Sequence, residues 1–125
     1  MPDPIVLSFE EFWSWLKGHP NCVLSAGTVD TVIFDHDDFH WTFSEELNPE
    51  GHDEMLVQAL RGKQLVAEIL IPRGRIIHVQ GEARDQEFVF ECFEEDDGGP
   101  VASYFVALSH GYDPEEHSET QGWVH

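Results

Sequence analysis

The chain has 125 residues, 41% of them hydrophobic and 12% aromatic, with 25 Asp and Glu against six Lys and Arg for a formal net charge of −19 at pH 7. That composition excludes a disordered chain, and the length suits one domain able to build a core without a disulfide or metal. So negative a field repels phosphate backbones and anionic lipid, which disfavours direct nucleic-acid or membrane binding and favours a basic protein partner.

No apolar run approaches the roughly 18 residues that span a bilayer. Met1-Pro2-Asp3-Pro4 places no basic segment ahead of a hydrophobic stretch, so a cytoplasmic protein is expected. Cys22 and Cys92 lie 70 positions apart without metal-type spacing. Two reduced thiols fit that pattern better than a zinc site, with a single bridge as the alternative.

The charge is unevenly spread. Nine acids and no Lys or Arg lie between Lys17 and Arg61, and eleven acids and no base follow Arg84. Five of the six bases, Arg61, Lys63, Arg73, Arg75 and Arg84, share a central segment with only Glu68 and Glu82. Such a chain is either an acidic body with a binding face or one adapted for hydration in a salty cytoplasm.

Along the chain, Ser8 and Glu11 form a capping box, and Phe9, Phe12, Trp13 and Leu16 recur at helical spacing before Gly18-His19-Pro20. This predicts an amphipathic helix lying on a sheet. From Asp30 to Glu45 the pattern predicts a hairpin turning at Asp37-Asp38, with Asp35 opposite His40 and Phe34 opposite Trp41. One face would carry Val32, Phe34, His36, Phe39, Trp41 and Phe43. Asn48-Pro49 or Asp53 opens a short second helix, with Leu56, Val57 and Leu60 inward and Gly62 as its end. A second hairpin is expected from Leu65 to Gly81, turning at Pro72-Arg73-Gly74 and setting Glu68 opposite His78. A third pair of strands, about 86–94 and 101–109, flanks the polar loop 95–100; the apolar run 101–108 also admits a helix. The expected fold is α+β: one curved antiparallel sheet of about six to seven strands, the N-terminal helix packed on one face, and the short second helix. Residues 1–109 form the domain and 110–125 a polar, acidic tail containing Trp123.

Val32-Ile33-Phe34-Asp35-His36-Asp37 is an apolar strand ending in Asp-x-Asp, and it resembles the first motif of haloacid-dehalogenase-type phosphatases. The resemblance spans about ten residues and implies Asp35 as nucleophile and Asp37 as general acid beside Mg²⁺. Asp38 and Phe39 stand where that family has Gly and Thr, and the chain lacks alternating βαβ units. No phosphate loop, dinucleotide fingerprint, Gly-x-Ser-x-Gly elbow or His-Glu-x-x-His pair is present.

The functional expectation is a non-enzymatic protein without a cofactor whose acidic face, Asp35, Asp37 and Asp38 with Glu94, Glu95, Asp96 and Asp97, meets a basic partner. It would act as an inhibitor, immunity-type protein, DNA mimic or regulatory adaptor. Two alternatives stand beside it. One is a metal-dependent enzyme or ligand binder centred on Asp35, Asp37 and His40. The other is a homodimer using the 70–76 tip and Trp123.

Overall fold

A computed structural model describes residues 4–111, with nine strands in two separate antiparallel sheets. In chain order the elements are β1 (Ile5–Leu7), α1 (Phe9–Lys17), β2 (Val23–Thr28), β3 (Val32–Phe34), β4 (Phe39–Leu47), β5 (Asp53–Arg61), β6 (Gln64–Pro72), β7 (Ile76–Arg84), β8 (Glu87–Asp96) and β9 (Gly99–Leu108). The larger sheet has the order β1-β7-β8-β9-β2-β3 and the smaller one β4-β5-β6. The class is α+β, but the expected single sheet is divided.

The helix forms for the reasons its sequence gives. Ser8 Oγ accepts the Glu11 N–H at 3.1 Å and Glu11 Oε1 accepts the Ser8 N–H at 2.9 Å, closing the capping box. Its buried face is Phe9, Phe12, Trp13, Trp15 and Leu16, one residue wider than the spacing predicted. Phe12 and Trp15 meet Phe90 of the larger sheet, with ring centroids 5.1 and 5.5 Å apart. Trp13 meets Phe43 of the smaller sheet edge-on at 5.9 Å. The helix therefore binds both sheets, and between them Val57, Ile69, Ile71, Val79, Cys92, Val106 and Leu108 complete the apolar interior. Truncating a large member of such a core, as in Phe90→Ala, costs about 3–5 kcal/mol.

The segment expected to be a second helix is β5, a strand of nine residues. Met55, Val57 and Ala59 alternate into the core, and tertiary pairing with β4 and β6 on either side overrides the helical spacing of Leu56, Val57 and Leu60. Gly62 ends no helix. At φ +62° it makes the β5–β6 turn, a left-handed backbone that a side chain would strain.

Two of the three expected hairpins are instead crossings between sheets. The turn at Asp37-Asp38 exists, closed by the Phe39 N–H on His36 O at 2.9 Å, but β3 pairs with β2 and β4 pairs with β5. In β3 the face is reversed: Ile33 packs toward the core while Val32 and Phe34 point out. At Pro72-Arg73-Gly74 the chain makes a 3₁₀ turn over Arg73–Arg75, and β6 and β7 part company. Glu68 and His78 are thus not neighbours. Glu68 accepts from Gln58 Nε2 at 2.6 Å in the smaller sheet, and His78 stacks on Phe93 at 4.8 Å in the larger. The third pair of strands forms the expected hairpin, β8 against β9, and the run 101–108 is strand, but pairing continues to Asp96 opposite Gly99, so the expected loop 95–100 shrinks to a turn at Asp97-Gly98.

β6 is an outer strand of the smaller sheet, with Leu65, Val66 and Leu70 exposed along it and Glu68 its only charge. Among the described residues no helix is long and apolar enough to cross a membrane. The expectations for residues 112–125, Trp123 among them, lie outside the described residues.

Candidate interaction surface

The structure separates the acidic residues into two groups. Asp35, Asp37 and Asp38 sit in the β3–β4 connection. The Asp35 N–H bonds Leu24 O at 2.9 Å, so this group lies level with Val23 and its partner Leu108 on β9. Glu94, Glu95, Asp96 and Asp97 occupy the β8–β9 hairpin, at the Gly99 end of β9. Nine residues of extended strand, at about 3.3 Å each, place the two groups roughly 30 Å apart. They are two surfaces rather than one face.

The first group is largely occupied by internal contacts. Asp35 Oδ1 accepts the Trp41 indole N–H at 2.9 Å, where the sequence pattern predicts an ion pair with His40. Asp38 stands 4.0 Å from Arg61 Nε and 3.8 Å from His36 Nδ1, and its N–H donates to that same ring nitrogen at 3.2 Å. Asp35, Asp37 and His40 border one small polar hollow with Pro20 and Asn21. Even so, no three His, Cys, Asp or Glu among the described residues are gathered as a metal site, so the geometry lends the metal-centred alternative no support. All strand pairs are antiparallel, so the parallel βαβ framework implied by the phosphatase resemblance is also missing among the described residues.

In the second group only Glu94 makes such a contact among the described residues. Ser103 donates its hydroxyl to Glu94 Oε1 at 2.9 Å, which anchors the base of the hairpin. Glu95, Asp96 and Asp97 are exposed on a two-residue turn, Asp97-Gly98, and no described cation lies within ion-pair distance of them. Pairing with β9 runs to Asp96 opposite Gly99, the residues that flank the turn.

The basic residues, contiguous in sequence, are dispersed in space. Arg61 and Lys63 flank one end of β6, and Arg73 and Arg75 the other. Arg73 binds Glu10 with Nε and Nη2 and lies 4.8 Å over the Phe9 ring. That bond holds the Glu10 carboxyl below the usual carboxylate range. Lys17 Nζ meets Glu45 Oε2 at 3.0 Å, and the Trp13 indole N–H donates to the same oxygen at 2.5 Å. Glu45 is lowered chiefly by the bond from Trp13, with Lys17 second.

A further surface escapes sequence reasoning. Helix and smaller sheet both cover one face of the larger sheet, and among the described residues no element packs over the other. Across that open face Gln80, Glu91, Phe105, Gly27 and Val32 form one row, and Glu82, Val89, Ala107, Ser25 and Phe34 the next. Phe34 is 70% exposed and Val29, in the β2–β3 turn, 77%. Beside Phe105 a groove of about 330 Å³ runs over Val89 and Ala107, bordered by Val29, Arg84, Glu87 and Glu91. Arg84 is taken up by Glu82 and Glu91 at 3.3 and 3.2 Å. The signal in the sequence is Val32 and Phe34, which a β3–β4 hairpin would have turned inward.

Both cysteines are free thiols. Cys92 is buried in the core, and that burial pushes its thiol up to about 12. Cys22 is half-buried, with Sγ 3.1 Å from His110 Nε2.

Comparisons of the chain with protein-family models, with curated proteins and with solved structures find no match.

Proposed function

We propose that the protein is a non-enzymatic interaction protein that uses acidic surface to engage a basic protein partner, in the manner of an inhibitor, an immunity-type protein, a DNA mimic or a regulatory adaptor. The observation that carries this reading is the β8–β9 tip. Glu95, Asp96 and Asp97 project at a short turn of a registered hairpin, with no described cation within ion-pair distance. Carboxylates held on a stiff edge meet a cationic surface with little ordering cost, and a net charge of −19 accelerates encounter. Asp35, Asp37 and Asp38 take a secondary part, since Asp35 and Asp38 already serve Trp41 and Arg61.

The test is the association rate of the full chain with a Lys-Ser repeat peptide, measured by stopped flow at several salt concentrations. The triple reversal E95K/D96K/D97K slows association about tenfold or more at low salt and flattens the salt dependence, while D37N has a small effect. Equal rates for the triple variant and the parent sink the proposal.

A further inference from the structure

We propose that the open face of the six-stranded sheet seats a basic amphipathic helix of the partner. Its apolar side would lie across Val29, Val32, Phe34 and Phe105, and its cationic flank against Glu87 and Glu91. This rests on the reading of the protein as a binder of basic partners, and it names the surface and the shape of the ligand.

Three observations lead to it. The first is the apolar strip lining that face, exposed at Val29, Val32 and Phe34, half-buried at Phe105, and buried at Val89 and Ala107 in the floor of the groove. It runs from Val89 on β8 through Phe105 and Ala107 on β9, across Ser25 and Gly27 of β2, to Val32 and Phe34 on β3. Apolar side chains left open beside a groove mark a contact site more often than chance exposure does. Its extent is three strand spacings, about 14 Å, which matches two to three turns of helix.

The second is charge. Glu82, Glu87 and Glu91 border the strip on the β7–β8 side, and Arg84, the cation lining the groove, is already bonded to two of them. What remains is net negative, complementary to Lys or Arg flanking an apolar helix face. A second copy of this chain would bring like charge to the same place.

The third is the edge strand. β3 has only three residues, so an added strand would gain few backbone hydrogen bonds there. A helix laid across the sheet face buries Phe34 and Val29 and leaves the edge free. Ser103 borders the groove and donates to Glu94, which makes the strip continuous with the acidic hairpin.

The test uses the ¹⁵N-labelled full chain and two synthetic 18-residue peptides of identical Leu and Lys content. In one, Leu occupies a single helix face; in the other, Leu is spread evenly around the helix. The first peptide binds at least tenfold more tightly and shifts the amides of Val29, Val32, Phe34 and Phe105, and Phe34→Ser, at an exposed position, removes that preference. If both peptides bind equally, with shifts confined to residues 94–97, the groove proposal fails while the acidic reading stands. If neither binds, both fail. Dimerisation of the free chain that Phe34→Ser abolishes assigns the face to a second copy and overturns the proposal. Affinity that rises on Trp123→Ser assigns the face to the chain's own C-terminal residues and overturns it likewise.

Discussion

The indole N–H of Trp41 donates to Asp35 Oδ1 across 2.9 Å, joining β4 of the smaller sheet to the residue that follows β3 of the larger one. A carboxylate that looks like part of a catalytic Asp-x-Asp pair is a clamp at the crossing between layers. Trp41 is buried, so its N–H has no ready substitute for this acceptor. Asp35→Ala should lower the urea midpoint by an amount worth about 1–2 kcal/mol, and Asp35→Asn, which keeps an acceptor oxygen, by less than half of that. Equal losses in the two variants would show that the bond does not hold the crossing.

Glu45 ties α1 to β4 through Trp13 and Lys17, and both bonds favour its charged form. Because its folded-state carboxyl titrates lower than the unfolded one, its stabilisation is complete above the unfolded value. It is lost as the pH falls below 4.5 and through the folded value. Glu10 with Arg73 behaves alike. Thermal midpoints should therefore fall in strong acid. Glu45→Gln should lower the midpoint at pH 6 and match the parent at pH 3, where a persistent gap would rule out the titration.

Gly27 gives Phe105 its place on the open face. A Cβ there would lie 2.8 Å from Phe105 Cε1 and 2.2 Å from Thr31 O, and the second clash is with backbone that cannot swing aside. Gly27→Ala should cost about 1–3 kcal/mol by equilibrium unfolding and move Phe105. Wild-type stability in that variant would mean that the β2–β3 turn adjusts freely.

The two thiols should differ sharply toward a disulfide reagent. Cys92 is 1% exposed with its thiol pushed up to about 12, whereas Cys22 is half-buried beside His110. One equivalent should react quickly in the native chain and two after denaturation, with Cys22→Ser removing the fast one. Two fast equivalents would contradict the buried position of Cys92.

Much of the secondary structure is legible in the sequence. The capping box and the Phe9–Leu16 spacing identify α1 because a helix end demands those partners locally. The β8–β9 pair is legible from the alternation of Phe88, Phe90 and Cys92 before a polar Gly-rich loop, while the apolar run after it fits strand or helix until its partner is known. Partner choice is the illegible part. Alternation shows that residues 32–34 and 39–43 have two faces, yet says nothing of which strand lies alongside. A turn at Asp37-Asp38 serves a hairpin and an inter-sheet crossing equally well. A hairpin would set Phe34 beside Trp41 in a shared face, whereas the two point to opposite sides of different layers. Residues 53–61 mislead for another reason: Leu56, Val57 and Leu60 satisfy a helical period while Met55, Val57 and Ala59 satisfy a strand's, and only the neighbouring strands decide. The two acidic groups share the ambiguity, since nothing in their spacing says which ends of the sheet they occupy.

The bare border at β6 gives the charge excess a second use. Nine residues with Leu65, Val66 and Leu70 outward and a lone Glu68 make a template for intermolecular pairing, and neither a central proline nor a lysine guards it. Mutual repulsion between whole molecules supplies the missing guard from a distance. Near the isoelectric point of about 4.4 that protection vanishes, and light scattering should record clustering there that Val66→Lys prevents.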